Sequence, residues 1–330
     1  MTASVILYTC PFVPAEWILA HGLSPHRFLP SPRRESAVFA GVGEGVCPFA
    51  RAAVETACTE PGAAALVATT TCDQMRRAAE FGEAYDRLPV FLMHVPSSWE
   101  SAGAHRYYRG ELARLGRFLR ELGGREPTKD RLAEVMEEMD AARRALLDAR
   151  PGMTSSEFAV AVAAYYRGGV LPPGLPDRGG EVLNGVPLAV VGSPFFEGQA
   201  EVFELIERQG GRVALDATTS GEGSWPRPFN RRRLREDPFD ELADAYFGSI
   251  PDAFRRPNSL LYQWLRRELQ TRGIRGIIFR RYVWCDTWHA EAQRMKEWCG
   301  MPMLILEPED DARLHARSIS RIEAFMEVLR

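Results

Sequence analysis

Ala64-Ala65-Leu66-Val67-Ala68-Thr69-Thr70-Thr71-Cys72-Asp73-Gln74-Met75-Arg76-Arg77 changes character halfway along. It opens as an apolar run of the kind a buried parallel strand uses, passes through three threonines, and becomes a polar, arginine-bearing segment that reads as a helix start. Cys72 stands at the junction. A thiol at the carboxyl end of a strand and the amino end of a helix faces the crevice where open α/β sheets bind ligands, and the helix N-terminus favours its thiolate. The plainer reading of any single cysteine is an inert core thiol, and for Cys72 taken alone both readings stay open.

Two more cysteines repeat this setting. In Val46-Cys47-Pro48-Phe49-Ala50-Arg51 the proline falls at the first position of a helix, so the sulfur again lies at a helix N-terminus. In Gly276-Ile277-Ile278-Phe279-Arg280-Arg281-Tyr282-Val283-Trp284-Cys285-Asp286 an apolar strand delivers a Cys followed at once by Asp. Cys10 follows the strand Val5-Ile6-Leu7-Tyr8 and shares the strand-end address; it reads equally as a fourth ligand or as a loop thiol. The spacings match no CxxC pattern, so a metal site would have to be assembled from separate loops. Cys58 and Cys299 lack the strand-to-helix address and read as structural.

A chain of 330 residues can bury a large core and splits naturally into two domains. A net charge of -3 gives no electrostatic case for nucleic acid or an anionic membrane surface. No apolar run approaches the ~20 residues that span a bilayer, and the N-terminus lacks a signal-peptide pattern, so a cytoplasmic protein is expected. In that compartment six cysteines read as thiols or cluster ligands rather than as a disulfide framework.

Strand and helix alternate along the chain as in doubly wound parallel sheets. After Val5–Tyr8 comes a helix over Ala15–Ala20, stopped by Gly22, with Glu16 in its first turn. Gly41-Val42-Gly43-Glu44-Gly45 lacks the Lys-Ser/Thr of a phosphate loop and reads as a flexible approach to Cys47. Leu88–Pro96 is a further strand, in whose apolar run His94 is expected as a core histidine. Amphipathic helices follow over about 105–122, 130–149 and 156–166. Dense glycine and proline then mark an interdomain connection, and a second α/β pattern begins at Val186-Pro187-Leu188-Ala189-Val190-Val191-Gly192-Ser193. The expected division is an N-terminal α/β lobe over 1–104, a helical segment and connection over 105–180, and a C-terminal α/β lobe over 181–330. Arg231, Arg232 and Arg233 read as a surface charge run or as an anion contact.

The ordered set Cys10-x3-Pro14-x-Glu16, Cys47-Pro48, Thr70-Thr71-Cys72-Asp73, Tyr107-Tyr108-x2-Glu111-Leu112, Gly273-x2-Gly276-Ile277-Ile278, Cys285-Asp286 and Arg321-Ile322-Glu323-Ala324-Phe325 resembles the 2-hydroxyacyl-CoA dehydratase family, which includes subunits of ATP-dependent benzoyl-CoA reductases. The resemblance runs in order from Cys10 to Phe325. It implies two Rossmann-like lobes with parallel sheets facing an interdomain cleft, plus a helical segment. It also implies an oxygen-sensitive [4Fe-4S] cluster, with Cys47, Cys72 and Cys285 as its metal ligands and Cys10 as the doubtful fourth. Three protein ligands leave one iron open to water or substrate.

The function so implied is an iron-sulfur subunit of a dehydratase-like lyase or an acyl-CoA reductase, passing low-potential electrons to an acyl-CoA thioester. The implied partners are the acyl-CoA substrate, a paralogous subunit or a second copy of the chain, and a separate ATP-dependent iron-sulfur activator. Ser193, at a strand end of the second lobe, and Glu16 are the polar groups expected near a substrate in catalytic roles. Extra cysteines for a double-cubane cluster are absent from Leu215–Gly221 and Phe247–Pro251. An electron-relay or scaffold subunit without its own substrate site is the alternative. A cluster-free α/β binding protein with merely buried thiols is the third reading.

Overall fold

The computed structural model describes residues 4–31, 45–84, 88–176, 184–199, 201–307 and 314–330. The first half builds a parallel sheet from β1 (Val5–Tyr8), β2 (Ser24–Arg27), β3 (Ala63–Thr69) and β4 (Val90–Met93), in the spatial order β2-β1-β3-β4. The second half repeats that order with β5 (Val186–Gly192), β6 (Gly211–Thr218), β7 (Gly276–Arg280) and β8 (Met303–Leu306), arranged β6-β5-β7-β8. Both sheets are two-lobed α/β in character, with helices on both faces. The apolar runs of β3, β5 and β7 are continuous because a parallel strand is covered on both sides.

β2 is absent from the sequence reading. Its Ser-Pro-His-Arg composition carries almost no strand propensity, and Pro25 argues against a ladder. It forms because it is an edge strand, paired only to β1, where a missing N–H costs nothing.

The helices of the first half are α1 (Ala15–Ala20), α2 (Pro48–Thr59), α3 (Asp73–Ala84), α4 (Ala102–Glu121), α5 (Lys129–Ala149) and α6 (Ser155–Tyr165). Side-chain caps set the starts of the long ones. Ser101 accepts from the Ala104 N–H, Thr128 from that of Arg131, and Thr154 with Glu157 completes a capping box. The second half adds α7 (Glu201–Arg208), α8 (Arg231–Glu236), α9 (Pro238–Ser249), α10 (Ser259–Thr271), α11 (Asp286–Cys299) and α12 (Ala316–Leu329).

Residues 225–254 leave the second sheet and enter the core of the first. Trp225, Phe229, Leu242, Tyr246 and Phe247 are buried with Phe12, Trp17, Tyr108 and Met136 of the first half. Arg27 bolts the junction. Its guanidinium lies over the Tyr166 ring at 4.5 Å, donates to Ser224 Oγ at 2.8 Å and bonds the Thr219 carbonyl. The other face of the first sheet packs α2 and α3 and also takes Phe196 and Tyr282 from the second half.

One sequence expectation changes here. His94, expected in the core, is exposed just past the end of β4, and its backbone N–H donates to Glu111 Oε2 at 2.7 Å. The arginine run opens α8 at the surface, where Arg233 pairs with Asp240, Glu241 and Asp244, and Arg232 with Glu236. Gly41–Glu44, read as an approach loop, lies outside the described residues. Among the described residues no helix is long and apolar enough to cross a membrane.

Candidate active site: a thiol-lined cavity between the lobes

In a sheet of this order the crevice opens where neighbouring connections diverge, past the carboxyl ends of the two central strands. In the first lobe those strands are β1 and β3, and the residues just beyond them include Cys10 and Cys72. In the second they are β5 and β7, followed by Ser193 and Cys285. The two switch points face one cavity of about 100 Å³. It is lined by Cys10, Cys47, Cys72 and Cys285 together with Thr9, Thr69, Thr71, Thr219, Thr287 and Asp252, and closed by Phe49, Met75, Tyr282 and Trp288.

Three of the four thiols share one local geometry. Cys47 is the N-cap of α2 with Pro48 at the first helical position, Cys285 is the N-cap of α11, and Cys72 directly precedes α3, whose Arg76 N–H donates to its carbonyl at 3.0 Å. Gln74, in the first turn of α3, accepts the Cys47 N–H at 2.8 Å and so ties two of these helix starts together. Ser193 Oγ donates to Cys285 Sγ at 3.4 Å and accepts the Tyr282 N–H at 3.4 Å. Trp284, immediately before Cys285, has φ +67, the left-handed backbone that a non-glycine residue takes only where its surroundings impose it. That turn brings the chain from β7 to the N-cap position.

Cys10 differs. It follows β1 in a turn closed by Val13 N–H to the Cys10 carbonyl at 3.3 Å, so no helix of its own points at its sulfur. Its Sγ lies 3.6 Å from Thr71 Oγ1, which in turn lies 2.9 Å from Thr69 Oγ1. Electrostatically Cys47, Cys72 and Cys285 act on one another, whereas Cys10 is coupled to Asp252, Tyr108 and Arg255.

Burial dominates the ionisation of Cys10, Cys47 and Cys72. It pushes Cys72 up to about 11, against the pull of the Met75 and Gln74 N–H groups, and Cys285 adds to the rise. Burial, with the neighbouring Cys285, drives Cys47 higher still, and burial raises Cys10. Cys10, Cys47 and Cys72 are therefore protonated at neutral pH when nothing is bound to them. A bound metal inverts that balance, because a coordinating thiol gives up its proton outright and three helix N-termini then face the resulting negative charge.

Among the described residues no three His, Cys, Asp or Glu side chains converge tightly enough to hold a single metal ion. Four cysteines nonetheless belong to the wall of the one cavity.

The remaining expected residues fall in different places. Ser193 is fully buried against Cys285. Glu16 is fully buried too, but it is not among the residues that line the cavity. Its carboxylate takes Arg143 Nη1 at 3.0 Å and the Tyr246 hydroxyl at 2.5 Å. Trp288 lines the cavity and donates its indole N–H to Thr219 Oγ1 at 3.3 Å, while Trp284 and His289 are exposed. Asp252 and Thr219 have no counterpart in the sequence reading. Both sit in loops without a motif, and only the crossing of residues 225–254 to the first lobe brings Asp252 to the thiols.

A polar vestibule of about 250 Å³ adjoins the cavity, sharing Thr71, Cys72 and Thr287 with it and adding Ser97, Arg256, Asp73 and Asp286. A larger cleft of about 680 Å³ between α5 and α10 shares no residue with the thiols. Its arginines are neutralised from within: Arg144 by Asp140, Arg227 by Glu241, Arg267 by Glu268 and Arg272 by Glu222.

Two parallel sheets of one strand order, turned so that both switch points present cysteines to a common cavity, define a two-lobed α/β protein with a thiol-lined interlobe site. The chain belongs to the family described as 2-hydroxyglutaryl-CoA dehydratase, D-component, whose sequence profile matches residues 10–163 and 176–329. No curated protein matches the chain.

Proposed function

We propose that the chain is the iron-sulfur subunit of a 2-hydroxyacyl-CoA dehydratase, with Cys47, Cys72 and Cys285 holding a [4Fe-4S] cluster. The observation that carries this is the convergence on one cavity of three thiols from both lobes, each at the start of a helix. The donor set fits the group: three soft ligands, each backed by a helix N-terminus, and hydroxyls rather than carboxylates around most of the wall. Such a cluster supplies low-potential electrons and an open iron that polarises an acyl-CoA thioester.

The protein's own residues do the rest. Phe49, Met75 and Trp288 make part of the cavity wall apolar, which strengthens the effect of charges placed beside them. Ser193 donates its hydroxyl proton toward the Cys285 sulfur, and hydrogen bonds to a ligand sulfur raise the potential of a bound cluster. The vestibule gives the acyl end of a thioester a polar route to the thiols past Thr71 and Thr287. The substrate class, an electron-delivering ATP-dependent activator and a second subunit are proposed with the family membership as their support.

An electron-relay subunit remains the second reading, favoured by one observation. The inner cavity, at about 100 Å³, lies well below the roughly 300 Å³ at which small-molecule sites usually begin.

Anaerobic purification with iron and sulfide analysis, and EPR after reduction, tests the proposal on wild type and Cys72→Ala. About four irons per chain in the wild type, lost in the variant, are expected for a [4Fe-4S] cluster. A folded wild type that stays free of iron after anaerobic reconstitution overturns it and leaves the cluster-free binding protein. Turnover of 2-hydroxyglutaryl-CoA by the reduced protein separates the catalytic subunit from the relay.

A further inference from the structure

The thiol cavity contains one carboxyl group among the described residues that line it, and that group belongs to Asp252. Neither histidine, glutamate nor lysine reaches the lining, and the other ionisable groups there are the four thiols and the Tyr282 phenol. Loss of water from a 2-hydroxyacyl thioester needs a proton for the departing hydroxyl and an acceptor for the proton that leaves C3. We propose that Asp252 is the catalytic proton carrier of this site, resting on the dehydratase reading above.

The geometry prepares it for that work. Asp252 lies in the turn after α9, where Oδ1 accepts the Phe254 N–H at 2.9 Å and the Asp252 carbonyl accepts the Arg255 N–H at 3.2 Å. One oxygen is thus fixed by the backbone, and among the described residues no salt bridge occupies the carboxyl. Behind it stands Arg255, fully buried, its guanidinium 4.5 Å from the ring centroids of both Phe12 and Phe247 and paired with no carboxylate. Its Nη2 donates to the Phe247 carbonyl, while Nε and Nη1 have no hydrogen-bond partner and face the aromatic rings. Burial raises the pKa of the Asp252 carboxyl, while the Phe254 N–H and the charges of Arg255, Arg27 and Arg256 pull it back.

The proton balance closes on Asp252 alone. The C2–O bond breaks and the hydroxyl leaves with the Asp252 proton as water. The C3–H bond breaks and its proton returns to the Asp252 carboxylate. One 2-hydroxyacyl thioester becomes one 2-enoyl thioester and one water, with no net oxidant or reductant consumed.

The test uses the anaerobically reconstituted protein with its electron-delivering partner and a panel of 2-hydroxyacyl-CoA thioesters that includes 2-hydroxyglutaryl-CoA. Asp252→Asn is expected to keep the iron and sulfide content and the EPR spectrum of the wild type, and to bind the thioester within about threefold by calorimetry. Its kcat for dehydration is expected to fall by about 10² to 10⁴-fold with KM little changed, and Asp252→Glu to recover part of the loss. An Asn variant that dehydrates within about threefold of wild type overturns the assignment, because proton transfer by a positioned carboxyl cannot be replaced so cheaply. An Asn variant that loses its iron, while the Glu variant keeps iron and full activity, overturns it in favour of a structural role. A wild type that holds its cluster and turns over none of the panel fails at the dehydratase reading, and the assignment falls with it.

Discussion

Glu16 shows how a residue expected near a substrate can serve the fold. Its carboxylate is buried with Arg143 and Tyr246, and Arg143 in turn reaches Asp140 at 3.2 Å and lies 4.9 Å from the Phe229 ring centroid. Glu16→Ala strips the guanidinium of its innermost partner, and the expected cost is about 3 kcal/mol or more in equilibrium urea unfolding. Iron uptake is expected to persist in that variant; loss of turnover with stability intact would instead reveal a catalytic role. Asp216 makes a pH prediction at the same scale. Burial lifts its carboxyl from 3.8 to about 6, with the Thr218 hydroxyl and N–H pulling the other way. Because the folded value lies above the unfolded one, the native state holds a proton that the unfolded state has lost. Stability from this group therefore declines as pH rises from about 4 to about 6, by about 3 kcal/mol in all. Asp216→Asn is expected to remove that part of the slope in urea melts between those pH values. Identical slopes for the two proteins would refute it.

At the scale of elements the site depends on how strands β5 and β7 end. Gly192, the last residue of β5, has φ +128, and a Cβ there would fall on the Arg280 carbonyl oxygen at the end of β7. The close approach lets the Ser193 N–H donate to that carbonyl at 2.9 Å and sets the hydroxyl against Cys285. Gly192→Ala is expected to cost about 3 kcal/mol or more, from strain plus the clash, and calorimetry would register it as a clear fall in Tm. Helix α6 offers a milder case. Thr154→Ala removes one half of its capping box, worth about 1 kcal/mol in the same assay, and leaves iron binding untouched.

For the whole molecule the two halves share one strand order yet are not independent bodies. Residues 225–254 complete the core of the first lobe, Phe196 and Tyr282 pack on its other face, and Phe49 stacks with both at 5.8 and 6.0 Å. Neither half can unfold without exposing apolar surface of the other. Scanning calorimetry is therefore expected to give one transition whose calorimetric and van't Hoff enthalpies agree. Two resolved transitions would mean that the lobes separate first. Because the three capping thiols come from both lobes, cluster loading is expected to raise the Tm of the whole molecule rather than of one part.

What the sequence by itself determined is whatever local chemistry dictates. Continuous apolar runs such as Leu66–Ala68 and Ile277–Phe279, bounded by turn signals, read as buried parallel strands, and Cys-Pro and Cys-Asp at the helix starts place Cys47, Cys72 and Cys285 at N-termini. The parallel α/β class, the strand-end addresses of Cys10, Cys72 and Cys285, the helix-start address of Cys47 and the position of Ser193 were legible for that reason. The tertiary structure decided what depends on distant residues. β2 exists only because β1 lends its edge to a proline-bearing segment, His94 is exposed because β4 ends one residue before it, and Arg233 of α8 is taken up by the acids of α9. Asp252 reaches the thiols only because its segment packs on the first lobe, 242 residues after Cys10 in the chain. Local pattern records which residues seek burial or a helix start; which of them meet is set by packing between lobes, which no local pattern contains.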